Sequence, residues 1–157
     1  MSDIEVSRVI AASPEVLYDM VSDLPRMGEL SPENTGGMWL HSAAGPQVGA
    51  EFRGTNSNGD KHWATTAVIE RADRGEAFVF TTRVGPIKIA RWSYIFEPVE
   101  NGTKVTETWE DMRNWLAKKA GTVSSGVSDR LTHNRGTMEV TLVNLARAAR
   151  AAGAPGR

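Results

Sequence analysis

Residues 91–112 read RWSYIFEPVENGTKVTETWEDM, two alternating runs on either side of Asn101-Gly102. Asn-Gly supplies the positive φ that both centres of a two-residue type I′ turn require, so the stretch reads as a β-hairpin. That turn sets Glu100 opposite Thr103, Phe96 opposite Glu107, Tyr94 opposite Trp109 and Trp92 opposite Asp111. Successive strand side chains point to opposite faces, so the other side carries Arg91, Ser93, Ile95 and Glu97 against Met112, Glu110, Thr108 and Thr106. Charges and hydroxyls in diagonal reach suit a solvated face, which makes the aromatic side the inner one. Glu107, flanked by Phe96, Val105 and Trp109, then points toward the core. Desolvation there raises a carboxyl pKa unless a cation or donor meets it.

Working outward, Ile4, Val6 and Ile10 recur with the period of a strand over residues 3–11. Ser13-Pro14-Glu15 is an N-cap followed by proline at the first helical position, and Val16, Leu17, Met20 and Val21 give a short amphipathic helix. Pro25 ends it, and a second helical turn covers Arg26 to Leu30. From about residue 35 to 112, turn signals at Gly36-Gly37, Gly45-Pro46, Asn58-Gly59, Arg74-Gly75, Gly85-Pro86 and Asn101-Gly102 divide the chain into six strands. Asp73-Arg74-Gly75 suits a three-residue loop with glycine in the left-handed position. That loop sets Phe78 opposite Glu70, Phe80 opposite Val68 and Thr82 opposite Thr66, and continues the inner face through Ala64 to His62. A two-residue turn would send Trp63 and Ile69 inward and His62 outward. Residues 113–127 have no decided conformation. Beyond Ser128, Leu131, Met138, Leu142, Leu145 and Ala149 mark a terminal helix of some 20 residues.

The chain has 157 residues, 40% of them hydrophobic and 24% charged, which suits one globular domain over residues 1–152 with a flexible tail at 153–157. Its net charge of -1 offers no large positive field to nucleic acid or anionic lipid. The absence of cysteine excludes disulfides, thiolate zinc sites and thiol nucleophiles. His41, His62 and His133 lie far apart without ligand spacing, and no phosphate loop stands between strand and helix, so no metal or other cofactor is expected. The N-terminus lacks the apolar stretch of a secretory signal and no segment could span a bilayer, so a cytoplasmic protein is expected.

The pieces AASPEVLYDMVSDLPRMGELSP, RWSYIFEPVENGTKVTETWE and SDRLTHNRGTMEVTLVNL, in this order, resemble the START/polyketide cyclase (SRPBCC) superfamily over residues 2 to about 150. The resemblance implies the α+β helix-grip fold. About seven antiparallel strands curve around a long C-terminal helix, with two short helices between strands one and two. It also implies a cavity between sheet and helix, which relatives use for lipid and steroid carriage, hormone reception or polyketide cyclisation.

The expected function is binding of a small hydrophobic or aromatic ligand, such as a lipid, polyketide or isoprenoid-like molecule. Phe52, Phe78, Phe80, Trp92, Phe96, Trp109, Met138, Thr141, Leu142 and Leu145 would form the wall, and Glu107, Tyr94 and His62 would orient the ligand. Met27, Leu30, Met38 and Trp39 would line or gate the entrance, and Asp111 would pair with Lys88 or Arg113 near the mouth. His133 and Asn134 fit the resemblance and otherwise serve as helix-end hydrogen-bonding groups. An alternative is a cyclase or dehydratase-like enzyme in which Glu107 exchanges protons and Tyr94 or His62 polarises a carbonyl, marked by a second ionisable group converging on Glu107. Another is an interaction module or homodimer formed through exposed Trp63 and Ile69.

Overall fold

A computed structural model describes residues 2–153, so all but the first residue of the expected tail lies outside the described residues. The strands are β1 (Ile4–Ile10), β2 (Asn34–Trp39), β3 (Glu51–Asn58), β4 (Lys61–Asp73), β5 (Ala77–Val84), β6 (Ile87–Val99) and β7 (Gly102–Asp111). The helices are α1 (Pro14–Ser22), α2 (Trp115–Ser125) and α3 (Arg130–Ala152), with a 3₁₀ helix at Leu24–Glu29. The strands form one antiparallel sheet in the order β1-β7-β6-β5-β4-β3-β2. This is the α+β helix-grip fold, with α3 across the concave face.

The helix starts follow from capping chemistry. The Ser13 hydroxyl accepts from the Val16 amide at 3.2 Å, and Pro14 occupies the first turn of α1. Asn114 caps α2 by accepting from Ala117 at 2.9 Å, and Gly126, in left-handed conformation, ends it. The undecided stretch 113–127 is therefore largely helical. Asp129 caps α3, whose buried positions are Asn134, Met138, Thr141, Leu142, Leu145 and Ala149. Leu131 is exposed, and Asn134 takes the inward place in the first turns.

The decisive hairpin faces as expected but sits two residues out of the expected register. Phe96 pairs with Val105, Tyr94 with Glu107, Trp92 with Trp109 and Pro98 with Thr103. The turn residues are Glu100 and Asn101, and Gly102 already belongs to β7. The reason lies in β1. Gly102 has φ 147°, and a Cβ there would stand 2.1 Å from the Ile10 carbonyl oxygen, so glycine is needed where two strand ends meet. Because a two-residue shift preserves side-chain parity, the aromatic face still points inward.

In the β4–β5 hairpin a three-residue loop forms with Gly75 at φ 79°, but it is Arg74-Gly75-Glu76, one residue later than expected, so Asp73 pairs with Ala77 and the Glu76 amide donates to the Asp73 carbonyl. A bulge between Ile69 and Arg71 then reverses the face of everything upstream. Phe78 pairs with Ala72, Phe80 with Ile69 and Thr82 with Ala67. Glu70 lies outside, accepting from the Thr81 hydroxyl and, at 3.2 Å, from Arg91, which also donates to Glu110 at 2.9 Å. The bulge thus keeps a carboxylate in solvent and puts Ile69 in the core. Trp63 consequently faces in and His62 out, the arrangement expected of the shorter turn. Ile69 is fully buried, so the expected interaction surface of Trp63 and Ile69 does not exist. Gly36-Gly37 lies inside β2 instead of opening a loop, because a Cβ at Gly37 would collide with the Arg53 carbonyl and the Phe52 ring.

Buried apolar side chains form one cluster. At one end α1 plugs the concave face, with Tyr18 edge-on to Phe78 and Phe96 at ring separations of 6.0 and 5.9 Å. Phe78→Ala should lower stability by about 3–5 kcal/mol, read from urea unfolding, because this end is close-packed and cannot collapse freely. Gly102→Ala should cost about 1–3 kcal/mol through backbone strain, with the loss measured by the same method.

Candidate functional site

Beyond the plug, sheet and α3 diverge around a pocket of about 440 Å³. Alternation on the inner face explains its wall: Phe80, Trp92 and Trp109 come from three neighbouring strands, and the two indoles are 6.5 Å apart. α3 supplies Met138 and Thr141, and β3 supplies Phe52. From α2 come Ala117, Ala120, Gly121 and Ser124, small residues that let the helix lie close over the opening. Both ends of α2 are tied down. Arg113 donates twice to the Asp111 carboxylate at 2.9 Å, and Asn58 donates to the Ser125 carbonyl at 2.9 Å. Burial would raise the Asp111 pKa, but hydrogen bonds and charge from Arg113 outweigh it and hold the carboxyl below its usual range.

Glu107 forms the polar floor. It is 1% exposed, and Tyr94 donates to its Oε2 at 2.9 Å. Oε1 is buried with no hydrogen-bond partner. Desolvation pushes the Glu107 carboxyl up to about 8 despite the opposing Tyr94 bond, so the group is largely a neutral acid at neutral pH. Burial, then the nearby carboxyl, raises the Tyr94 hydroxyl well above its usual value as well. A neutral carboxylic acid has one O–H donor, and the hydroxyl of Tyr94 already occupies Oε2. The remaining oxygen, Oε1, can therefore carry the proton.

A second polar group stands where β2, β4 and α3 meet. Arg130 donates to both Glu33 oxygens at 2.9 and 3.0 Å and to Asn134 at 3.2 Å, and its guanidinium lies 5.5 Å from the Trp63 ring centre. His133 Nε2 is 3.0 Å from Glu33. Glu33, Trp63, Arg130 and Asn134 line the pocket, so this cluster both anchors the start of α3 and edges the cavity.

Of the residues expected at the site, Phe52, Phe80, Trp92, Tyr94, Glu107, Trp109, Met138 and Thr141 line the pocket. Phe78, Phe96, Leu142 and Leu145 are buried in the close-packed end instead. His62 is exposed on the far side of β4 and cannot reach Glu107. Met27 lines the pocket, Leu30 is buried outside it, Met38 is exposed, and Trp39 packs on Phe52 at 5.2 Å. Asp111 pairs with Arg113 as expected. Sequence reasoning placed Trp63 inward only with the two-residue turn, whereas a bulge brings it there with the longer loop, and it missed the Arg130–Glu33 pair because 97 positions separate its members. The small inner face of α2 had a readable signal in Ala117, Ala120 and Gly121 at helical spacing. Among the described residues, no group of three or more His, Asp or Glu side chains is placed to hold a metal.

The solved structures that this fold resembles include a polyketide-cyclase-like protein from Corynebacterium glutamicum, 28% identical over 98% of this chain and 94% of that one, with TM-score 0.62. Another is the di-domain ARO/CYC StfQ of the steffimycin biosynthetic pathway, with 13% identity and TM-score 0.72 over 96% of this chain and 51% of that one. Major latex-like protein 151 from Panax ginseng matches at 11% identity and TM-score 0.70, over 93% and 95% of the two chains. No curated protein sequence matches the chain. A family model described as "Polyketide cyclase / dehydrase and lipid transport" matches residues 1–150, and on that match the chain belongs to this family.

Proposed function

We propose that the chain binds a small apolar or aromatic molecule, lipid, polyketide or isoprenoid-like, that presents a neutral hydrogen-bond acceptor to Glu107. The observation that carries this reading is the unpartnered Oε1 of a fully buried carboxyl at the floor of a largely apolar pocket. Its volume of about 440 Å³ falls within the usual range for small-molecule sites. Apolar burial at roughly 25 cal/mol per Å² supplies the driving force, while the cost of association leaves one well-placed hydrogen bond able to decide affinity. A carboxylate ligand would meet the acid in its ionised form unfavourably at high pH, whereas a ketone or phenol oxygen satisfies the orphan directly.

A second reading is a cyclase or dehydratase-like enzyme, the class to which the likeness to StfQ and the family description lend weight. The specific observation in its favour is that Tyr94 converges on Glu107 at 2.9 Å, giving an acid whose pKa of about 8 suits proton exchange. His62, on the outer face, takes no part in this reading.

Native mass spectrometry of protein purified from its host should reveal a co-purifying apolar molecule, and an empty wild type that also ignores a panel of aromatic ketones would overturn the carrier reading. Glu107→Gln keeps a neutral donor, so binding should persist, while Glu107→Leu should weaken it about tenfold through loss of one hydrogen bond. If the enzyme reading holds, Glu107→Gln retains binding but loses turnover of an enolisable polyketide-like substrate.

Protonation of Glu107 also couples to folding. Its folded pKa of about 8 exceeds the ordinary 4.5, so between those values the folded chain holds a proton that the unfolded chain has released. The stabilising contribution is complete below about pH 4.5 and is lost as pH rises through about 8. Thermal unfolding followed across this window should show a decline in wild type that Glu107→Gln flattens.

A further inference from the structure

The inner face of α2 is accounted for by the pocket, but its outer face is not. Trp115, Leu116 and Val123 are 70%, 59% and 75% exposed, and with Lys119 they share one side of the helix at i, i+1, i+4 and i+8. Three large apolar side chains exposed on a three-turn helix are a feature that solvation alone does not favour. The charge around them leans positive. From Arg113 to Ser128 the sequence has Arg113, Lys118 and Lys119 and no acidic residue. Asp111 neutralises the half-buried Arg113 and lies 3.9 Å from Lys118, which stays 56% exposed, while Lys119 makes no salt bridge among the described residues. Across the pocket, the tip of the β5–β6 hairpin adds Val84 and Ile87, which both line the pocket and are exposed, with Lys88 beside them. No acidic residue lies between Ala77 and Phe96. The apolar-and-basic surface therefore borders the pocket on two sides.

We infer that the outer face of α2 and the β5–β6 tip form a docking surface for an anionic lipid bilayer. An indole belongs at the boundary between hydrocarbon and headgroup, Leu116 and Val123 can enter the acyl region, and flanking lysines reach lipid phosphates. A second copy of the chain is a poorer occupant, because apposing two such faces brings Lys118 and Lys119 against the same lysines. The pinned ends of α2 present this face in a fixed orientation without requiring the helix to fold on contact. The inference goes beyond the pocket's ligand, and neither depends on the other.

The test is flotation with vesicles of phosphatidylcholine alone or mixed with phosphatidylglycerol, at low and high salt. Wild type should float with the mixed vesicles at low salt, and binding should fall sharply at high salt or without phosphatidylglycerol. Lys118→Gln/Lys119→Gln should bind about thirtyfold more weakly. Trp115→Ser/Leu116→Ser/Val123→Ser should not bind, with an unchanged melting temperature because these side chains make no core contacts. Glu107→Gln should bind vesicles like wild type, which separates this surface from the pocket. Equal flotation of wild type and the serine variant, or no flotation of wild type, would overturn the inference. So would a vesicle-free dimer that the serine variant dissociates, since a second copy would then be the occupant.

Discussion

A strand can show any one side chain to only one face, and the β6–β7 hairpin applies this constraint at the centre of the sheet. Once Trp92, Tyr94 and Phe96 face inward, their partners Trp109, Glu107 and Val105 must do so too. A carboxyl is thereby built into an apolar wall, and the rest of the fold is arranged around it. β1 covers the outer edge of β7, pairing Val6 with Glu107 and Ile4 with Trp109. α1 fills the end of the concave face near Phe96, and α2 closes over the other end. The pocket is the space that these two helices and α3 leave between them.

The contrast between the two ends is one of side-chain size. Where α1 meets the sheet, Leu17, Tyr18 and Val21 interlock with Phe78 and Phe96, and the interior is full. Where α2 meets it, the facing residues are alanine, glycine and serine, which cover the opening without filling it. Enlarging those residues would turn the lid into a plug. The same amphipathic logic that places large apolar residues inward on α1 is inverted on α2, where they face outward.

Local pattern made much of this legible. Ser13-Pro14 marked the start of α1, and the alternating run around Asn101-Gly102 identified the inner face together with Tyr94 and Glu107. Parity protected that reading, because the observed register differs by two residues and an even shift leaves every side chain on its face. The bulge at Glu70 is an odd shift, so it exchanged His62 for Trp63. Nothing in the turn sequence announces it, and the partners that Glu70 meets there, Thr81 and Arg91, come from the neighbouring strands. Likewise the Arg130–Glu33 contact joins distant segments and leaves no local mark. Apolar periodicity alone could not distinguish Phe78 and Leu145, in the filled end, from Phe80 and Met138, in the pocket, since all four are inward and apolar.

The unpartnered oxygen of Glu107 is the feature on which the proposed ligand-receiving role of this carboxyl rests. A buried polar atom without a partner costs about 1–3 kcal/mol, and a buried ionised carboxyl costs more, so the group remains protonated where it can. If its task were only to hold β6 to β7, Tyr94 would need a single acceptor, which an amide or hydroxyl side chain could provide. The second carboxyl oxygen contributes nothing to that bond and is left buried without a partner. On the proposed reading, an acceptor on the ligand would offset the cost of that orphan, because the strands on both sides already fix the carboxyl. On that reading, such preorganisation would make the unliganded fold slightly less stable and the proposed binding step correspondingly more selective for molecules with an oxygen at the right end.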